Sequence, residues 1–252
     1  MMANIFQRLF KEPLPPPTHI NVTVTASSKT LHKHGSATPF TLTFEATLEE
    51  SPDGPNEPLT VLAFDTLLDP SGIALYEDGL QFVNSNTGAQ AKRPAMSRQY
   101  DFGDKSNILV NPQFERYFVT LKPGVPIRVT HTMRPCPRLP SQNEYNPEEQ
   151  STSNSEGEAT REDEAIVAAA FSHVTYLEVG STYHVQIGEK MSRIDWYRYG
   201  SKYKVLKEQT TTGDGLVNSL IGSKGRSERV GDSELQAVPL VMQGSASFRV
   251  EE

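Results

Sequence analysis

The chain has 252 residues, of which 36% are hydrophobic, and its net charge is −7. Residues 141–164 hold eight of the 31 acidic residues and one of the 24 basic residues, so 23 of each remain elsewhere. A neutral remainder excludes the overall basic character of proteins that bind nucleic acid or anionic membranes. The 17 Gly and 18 Pro residues favour short strands joined by turns over long helices.

The sequence carries no sign of export or of membrane insertion. Cys136 is the single cysteine, so no internal disulfide can form. The first residues lack the apolar stretch and cleavage site of a secretory signal. No run of 18 apolar residues is present. We therefore predict a cytoplasmic protein without a cofactor, in which the proline-rich residues 1–17 form a flexible N-terminal tail.

Alternation of apolar and polar residues predicts the strands in chain order. Residues 19–26 and 40–48 each place apolar side chains on one face only. Residues 58–70 (PLTVLAFDTLLDP) are apolar on both faces as far as Asp65, which predicts a buried strand that leaves the core there. Later strands are predicted over 80–90 (with a turn at 86–88), 113–121, 125–133, 181–188 and 196–206 (a strand, or a loop and a strand), and a closing hairpin over 235–241 and 245–250.

Two segments do not fit the strand pattern. Residues 141–164 are too polar to offset the entropy of ordering, which predicts a disordered acidic insertion. Residues 208–231 are rich in Gly, Ser and Thr, which predicts a mobile loop. The spacing of the strands is typical of a sandwich. We predict an all-β, immunoglobulin-like antiparallel β-sandwich formed by residues 18–252 as a single domain.

Four short motifs occur in an order that resembles a known family. They are VLAFDTLLD (61–69), KRP (92–94), LKPGVPIRVTH (121–131) and VGSTYHVQIG (179–188). The order resembles the β-sandwich domain that precedes the catalytic domain in deuterolysin-type and peptidyl-Lys zinc metalloendopeptidases. Those enzymes hold zinc on a helical HExxH motif, which this chain lacks. The resemblance therefore implies a non-catalytic sandwich module that binds a partner or covers a site.

One segment interleaves aromatic rings with cations, a combination that builds protein-binding hot spots. Its candidate binding residues are Arg193, Trp196, Tyr197, Arg198, Tyr199 and Tyr203, accompanied by Lys202 and Lys204. Stacked rings beside cations also hold single-stranded nucleic acid. In a strand, the same rings would instead pack inward. We favour a protein or peptide partner for any contact surface here, and no nucleic acid.

An alternative set of polar residues points to an enzyme of unrecognised type. Asp65, Asp69, His131 and His184 would have to converge in a cleft between sandwich loops, with Tyr183 nearby. Paired carboxylates serve as acid and base only if their surroundings separate their pKa values. Asp and Thr at the end of a strand more often cap the next turn.

Two further motifs carry weaker alternatives. His32 and His34 would face the same side of an extended chain and hold a metal if His131 and Asp65 completed the ligand set. Cys136 lies between two arginines, which favour a reactive thiolate if a base lies close by.

Three hypotheses about function follow. The first is a non-catalytic intracellular binding module with no stable membrane insertion; the second is the enzyme. The third is a structural component that pairs through open strand edges. The sequence leaves the oligomeric state open and predicts no metal.

Overall fold

The structure is a computed structural model that describes residues 19–49, 57–76, 78–93, 105–138, 169, 171–211, 228–233 and 235–252. The predicted tail (1–17) and the predicted disordered insertion (141–164) lie outside these residues. Twelve strands are described: β1 Ile20–Ala26, β2 Thr30–His32, β3 Thr41–Leu48, β4 Leu59–Leu62, β5 Leu80–Asn84, β6 Phe118–Leu121, β7 Ile127–Thr132, β8 Thr182–Ile187, β9 Arg193–Ile194, β10 Tyr197–Tyr199, β11 Val238–Met242 and β12 Ser247–Glu251.

Helical structure in the described residues is short. The α-helix α1 spans Lys202–Thr211. Single 3-10 turns or short 3-10 helices span Ile73–Leu75, Lys105–Asn107, Pro112–Tyr117, Glu189–Met191 and Val230–Asp232.

The strands form three sheets. The five-stranded sheet has the order β7-β3-β1-β11-β9, the three-stranded sheet β10-β4-β6, and the four-stranded sheet β2-β12-β8-β5. All three sheets contribute side chains to one main hydrophobic core, for example Phe44, Val61 and Phe248. The prediction of an all-β, sandwich-like fold is confirmed.

Strict alternation appears where a strand has one face toward the core and the other toward solvent. In β3, Leu42, Phe44, Ala46 and Leu48 are buried while the residues between them are partly exposed. By contrast, all four residues of β4 are buried, as predicted from its apolar character on both faces. The chain leaves the strand earlier than predicted, after Leu62, and turns through Asp65, whose φ of 54° is in the left-handed region.

A second hydrophobic cluster lies between the three-stranded sheet and α1. It contains Leu62 and Phe118 from the sheet, Leu206 from the helix, Trp196, and Val230. The three-stranded sheet is therefore covered on both faces, one by the main core and one by this second core.

The predicted strand over 113–121 is a strand only from Phe118 onward, because Pro112–Tyr117 forms a 3-10 helix. Asn111 begins that helix by accepting a hydrogen bond from the Gln113 backbone N–H at 3.0 Å, and Pro112 supplies a helical φ. The predicted strand over 196–206 is instead β10 followed by α1. Gly200, with a φ of 118°, makes the turn between them.

The predicted closing hairpin is also wrong, because β11 and β12 belong to different sheets. β11 pairs in parallel with β1, whereas β12 pairs with β8 and, in parallel, with β2. Residues 243–246 therefore cross between sheets beside residues 27–29, which make the same crossing from β1 to β2. The predicted mobile loop (208–231) is regular at both ends: its start completes α1, and Val230 is buried. Its middle lies outside the described residues.

Candidate functional site

The structure divides the aromatic and basic segment that the sequence singled out. Trp196 is 0% exposed and packs edge-on against Phe118, with ring centroids 5.1 Å apart. Tyr197 is buried in the main core. Successive residues of an extended chain point to opposite faces, and both faces of this sheet are covered. The expectation that Trp196 and Tyr197 belong to a contact surface is therefore wrong.

Tyr199 is half-buried, and its ring lies 6.4 Å from that of Tyr197. Burial raises the pKa of both phenols, so both remain neutral. Tyr197 is buried in the main core, and the half-buried ring of Tyr199 packs against the same core. These two tyrosines therefore act in packing.

The predicted cations are exposed but held by acidic side chains. Arg193 Nε lies 3.1 Å from Asp195 Oδ1. The terminal nitrogen Nη2 of Arg198 donates to both carboxylate oxygens of Glu228, at 2.6 and 2.7 Å. These pairs neutralise charge that would otherwise be available to an anionic ligand.

Tyr203 is the member of the predicted set that projects into solvent, with 74% of its surface exposed. It lies in the first turn of α1, which buries Val205 and Leu206 in the second core. Lys207, four residues further along the helix, has its Nζ 5.4 Å from the centroid of the Tyr203 ring and 3.4 Å from its hydroxyl. This spacing aligns the cation with the ring on one helix face.

The 3-10 helix Pro112–Tyr117 adds a second aromatic and cation pair beside α1. The guanidinium carbon of Arg116 lies 4.7 Å from the Tyr117 ring centroid, and Arg116 Nη2 donates to the Tyr117 hydroxyl at 2.6 Å. Lys202 Nζ lies 2.9 Å from Glu115 Oε1, which joins the two helices. The Tyr117 ring itself is half-buried and packs against the second core. We call the exposed residues Arg116, Tyr203, Lys204 and Lys207 the α1 face.

The sequence pattern does not reveal the position of Arg116 and Tyr117, because it predicts one strand over residues 113–121. A local signal was present: Asn111 followed by Pro112 is a typical start of a helical turn. Lys207 was also missed, although its separation of four residues from Tyr203 places the two together once a helix is assumed.

The alternative polar set is only partly brought together. Asp69 is 6% exposed; its Oδ2 accepts from the Asp65 backbone N–H at 3.1 Å and its Oδ1 from the Ser71 backbone N–H at 2.9 Å. His131, on β7, is 1% exposed and its Nε2 donates to the Leu67 carbonyl at 3.1 Å. His184 lies elsewhere, exposed on β8 opposite Val83.

The buried His131 ring is held neutral. Burial lowers its pKa, against the opposing effects of the Leu67 carbonyl and the Asp69 carboxylate. With its proton on Nε2, the ring leaves Nδ1 as an acceptor that has no hydrogen-bond partner among the described residues. Asp69 thus holds the loop over 63–76 in shape from within, His131 attaches it to the sheet, and both side chains are buried away from any substrate. Tyr183 is likewise buried, with its hydroxyl accepting from the Glu178 N–H at 2.9 Å.

The histidine motif (His32 and His34) contacts the segment around Cys136, and in the described residues neither contacts the alternative polar set. His34 Nδ1 donates to the Cys136 carbonyl at 3.0 Å, and His34 Nε2 lies 3.3 Å from Glu252 Oε2. His32 Nδ1 lies 3.2 Å from the Glu252 carbonyl. The part of the chain that the structure describes contains no group of three or more metal-binding side chains. The suggested completion of a metal site by His131 and Asp65 is therefore wrong.

A shallow cleft lies where the chain crosses between sheets. It has a volume of about 410 Å³ and is lined by residues 24–29 and 246–247. None of the candidate polar residues lines it. The cleft and the polar set are therefore separate features, which leaves the α1 face as the candidate functional site.

Comparison with protein-family models, curated proteins and solved structures finds no match for this chain. The resemblance to the metalloendopeptidase sandwich domain stays a prediction. No helix among the described residues is long and apolar enough to cross a membrane.

Proposed function

We propose that this chain is a non-catalytic binding module that recognises a protein or peptide through the α1 face. The observation that carries the proposal is the exposed ring of Tyr203, held on a helix that is packed into the second core. An aromatic ring presented on a rigid element loses little entropy on binding, and tyrosine is enriched at protein-binding hot spots.

The charges around the α1 face favour a protein or peptide over nucleic acid. Nearby Arg198 and Lys202 are paired with Glu228 and Glu115. Nucleic-acid affinity depends on several cations that can each reach a phosphate. A peptide with a carboxylate beside an apolar side chain would meet Lys207 and the Tyr203 ring at once. The proposal includes the cytoplasmic location predicted from the sequence.

The state of the polar residues supports a module without catalysis. A general acid or base must reach a proton on the substrate. Asp69 and His131 are buried and already bonded to backbone groups of the loop over 63–76. These hydrogen bonds give Asp69 and His131 a structural role in holding the loop.

A photo-crosslinking experiment tests whether a partner binds at the α1 face. The photoreactive residue p-benzoylphenylalanine replaces Tyr203 in one preparation and Val241, which is exposed on β11, in a matched control. Each is irradiated in a lysate of the organism that makes the protein. We expect a discrete adduct from position 203 that is absent from position 241 and lost when Lys207→Glu is added.

Adducts of the same mass from both positions would contradict the proposal, because they would show unselective contact. No adduct from position 203, with the protein folded by circular dichroism, would contradict it as well.

A further inference from the structure

Strand β7 forms one edge of the five-stranded sheet. At six residues, it is the longest edge strand in the described part of the chain; β5, the next longest, has five. The β5 edge is partly covered by its own return, where the Ala91 N–H donates to the Phe82 carbonyl at 2.8 Å. β7 therefore offers the most complete row of edge groups for a further strand.

The pairing of β7 with β3 fixes which backbone groups face outward. The Met133 N–H donates to the Phe40 carbonyl at 2.9 Å, so these two residues form a hydrogen-bonded pair. In an antiparallel ladder this pattern repeats every second residue. The backbone N–H and C=O groups of Arg128, Thr130 and Thr132 therefore point away from β3. Among the described residues, none makes a backbone hydrogen bond to them.

The edge lacks the features that block strand addition. Residues 127–132 contain no proline, and the pairing with β3 runs through them without a bulge. The strand carries one charged side chain on its solvent-exposed face, Arg128. That side chain is paired with Glu45 on β3, with Nε and Oε1 2.6 Å apart. The side chains of Arg128, Thr130 and Thr132 are exposed, and threonine favours strands.

We propose that this edge pairs with the same edge of a second copy of the chain, antiparallel and with Thr130 on the twofold axis. In that register Arg128 lies opposite Thr132 of the second copy, and the two five-stranded sheets become one continuous sheet. The proposal concerns β7 and is independent of the α1 face.

Self-complementarity is the reason for choosing a second copy as the occupant. In a twofold pair centred on one residue, a residue n positions after the centre faces the residue n positions before the centre in the other copy. Like charges at two such positions oppose pairing. With Thr130 at the centre, no like charges face each other. About six backbone hydrogen bonds form across the axis, two for each outward pair. The contact between the hydroxyls of Thr43 and Thr130, at 3.1 Å, then extends into a row of four threonines.

Sedimentation equilibrium of the full chain over a range of concentrations tests the proposal. We expect the wild type to dimerise, and Thr130→Lys and Thr130→Glu each to weaken the dimer at least about tenfold, because like charges then meet on the axis. An equimolar mixture of the two variants should restore dimers, since opposite charges then face each other. Thr23→Lys is the matched control: Thr23 is exposed on β1 in the same sheet, away from the edge.

A wild type that stays monomeric at every concentration would overturn the proposal; the edge would then be covered by another part of the chain or reserved for a different partner. Dimers that survive Thr130→Lys, or that are lost equally in Thr23→Lys, would overturn it too. Failure of the mixture to restore dimers would show that Thr130 does not face its own copy.

Discussion

Two regions carry side chains suited to binding or chemistry, and they differ in whether solvent reaches them. Around the loop over 63–76, Asp69 within the loop and His131 on β7 are buried and bonded to backbone groups of the loop. On the α1 face, the Tyr203 ring is exposed while the helix beneath it is packed. The comparison teaches that a residue's chemistry is available only where its element leaves one side unpacked. The following predictions test the comparison from the largest expected effect to the smallest.

Removing the buried ring of Trp196 should have the largest effect. Trp196→Ala leaves a cavity between the three-stranded sheet and α1, and we expect the free energy of unfolding to fall by about 3–5 kcal/mol. Urea denaturation measures the change. Tyr203→Ala is the matched control and should alter stability by less than about 0.5 kcal/mol, because its ring is exposed. Equal losses in the two variants would break the comparison.

Asp69→Ala should have an intermediate effect. The substitution removes two hydrogen bonds that the charged carboxylate accepts, from the N–H groups of Asp65 and Ser71, which we expect to cost about 1–3 kcal/mol in the free energy of unfolding. Asp69→Asn keeps one amide oxygen as an acceptor and should cost less. If Asp69→Ala is as stable as the wild type, the carboxylate does not fasten the loop.

The pH dependence of stability should show the neutral state of His131. Because burial lowers the folded-state pKa below 6.5, the unfolded chain binds a proton more readily than the folded chain. The contribution to stability is complete above pH 6.5 and falls as the pH drops below it, by up to about 1.4 kcal/mol per pH unit. Urea denaturation between pH 7.5 and 5.5 measures this slope.

His131→Gln should flatten that slope, because glutamine can still donate to the Leu67 carbonyl but does not titrate. His184→Gln, at an exposed histidine on β8, should leave the slope unchanged. The same slope in wild type and His131→Gln would show that another group causes the pH dependence.

The strands that the sequence predicted well have one face exposed to solvent. β1, β3 and β8 alternate in burial because solvent covers one side of each, so local periodicity is enough to find them. β10 could not be interpreted in this way. Trp196, just before β10, and Tyr197, its first residue, are both buried, because they enter the two separate cores on either side of the three-stranded sheet. An aromatic pair of this kind looks the same in sequence as a binding surface.

Local sequence patterns also cannot predict which distant strands pair with each other. Residues 235–250 look like a hairpin around Gly244, yet the partners of β11 are β1 and β9. At the candidate site, Tyr203 was identified from composition. Its partner Lys207 depends on the helix α1, and the neighbouring Arg116 depends on a helical turn that begins at Asn111. Most of the α1 face therefore required the three-dimensional arrangement.

The two parallel pairings determine when this molecule can fold during its synthesis. Ile20 of β1 is the register partner of Leu240, and Leu31 of β2 is the register partner of Val250. β1 can pair with β3 early, but its second partner β11 and the sole described partner of β2, β12, leave the ribosome only at the end of synthesis. Pairing between such distant residues is slow, and a strand edge that is still unpaired can aggregate with other chains. The five- and four-stranded sheets can be completed only after translation has passed residues 238–251, so a stalled nascent chain would hold two unfinished sheets.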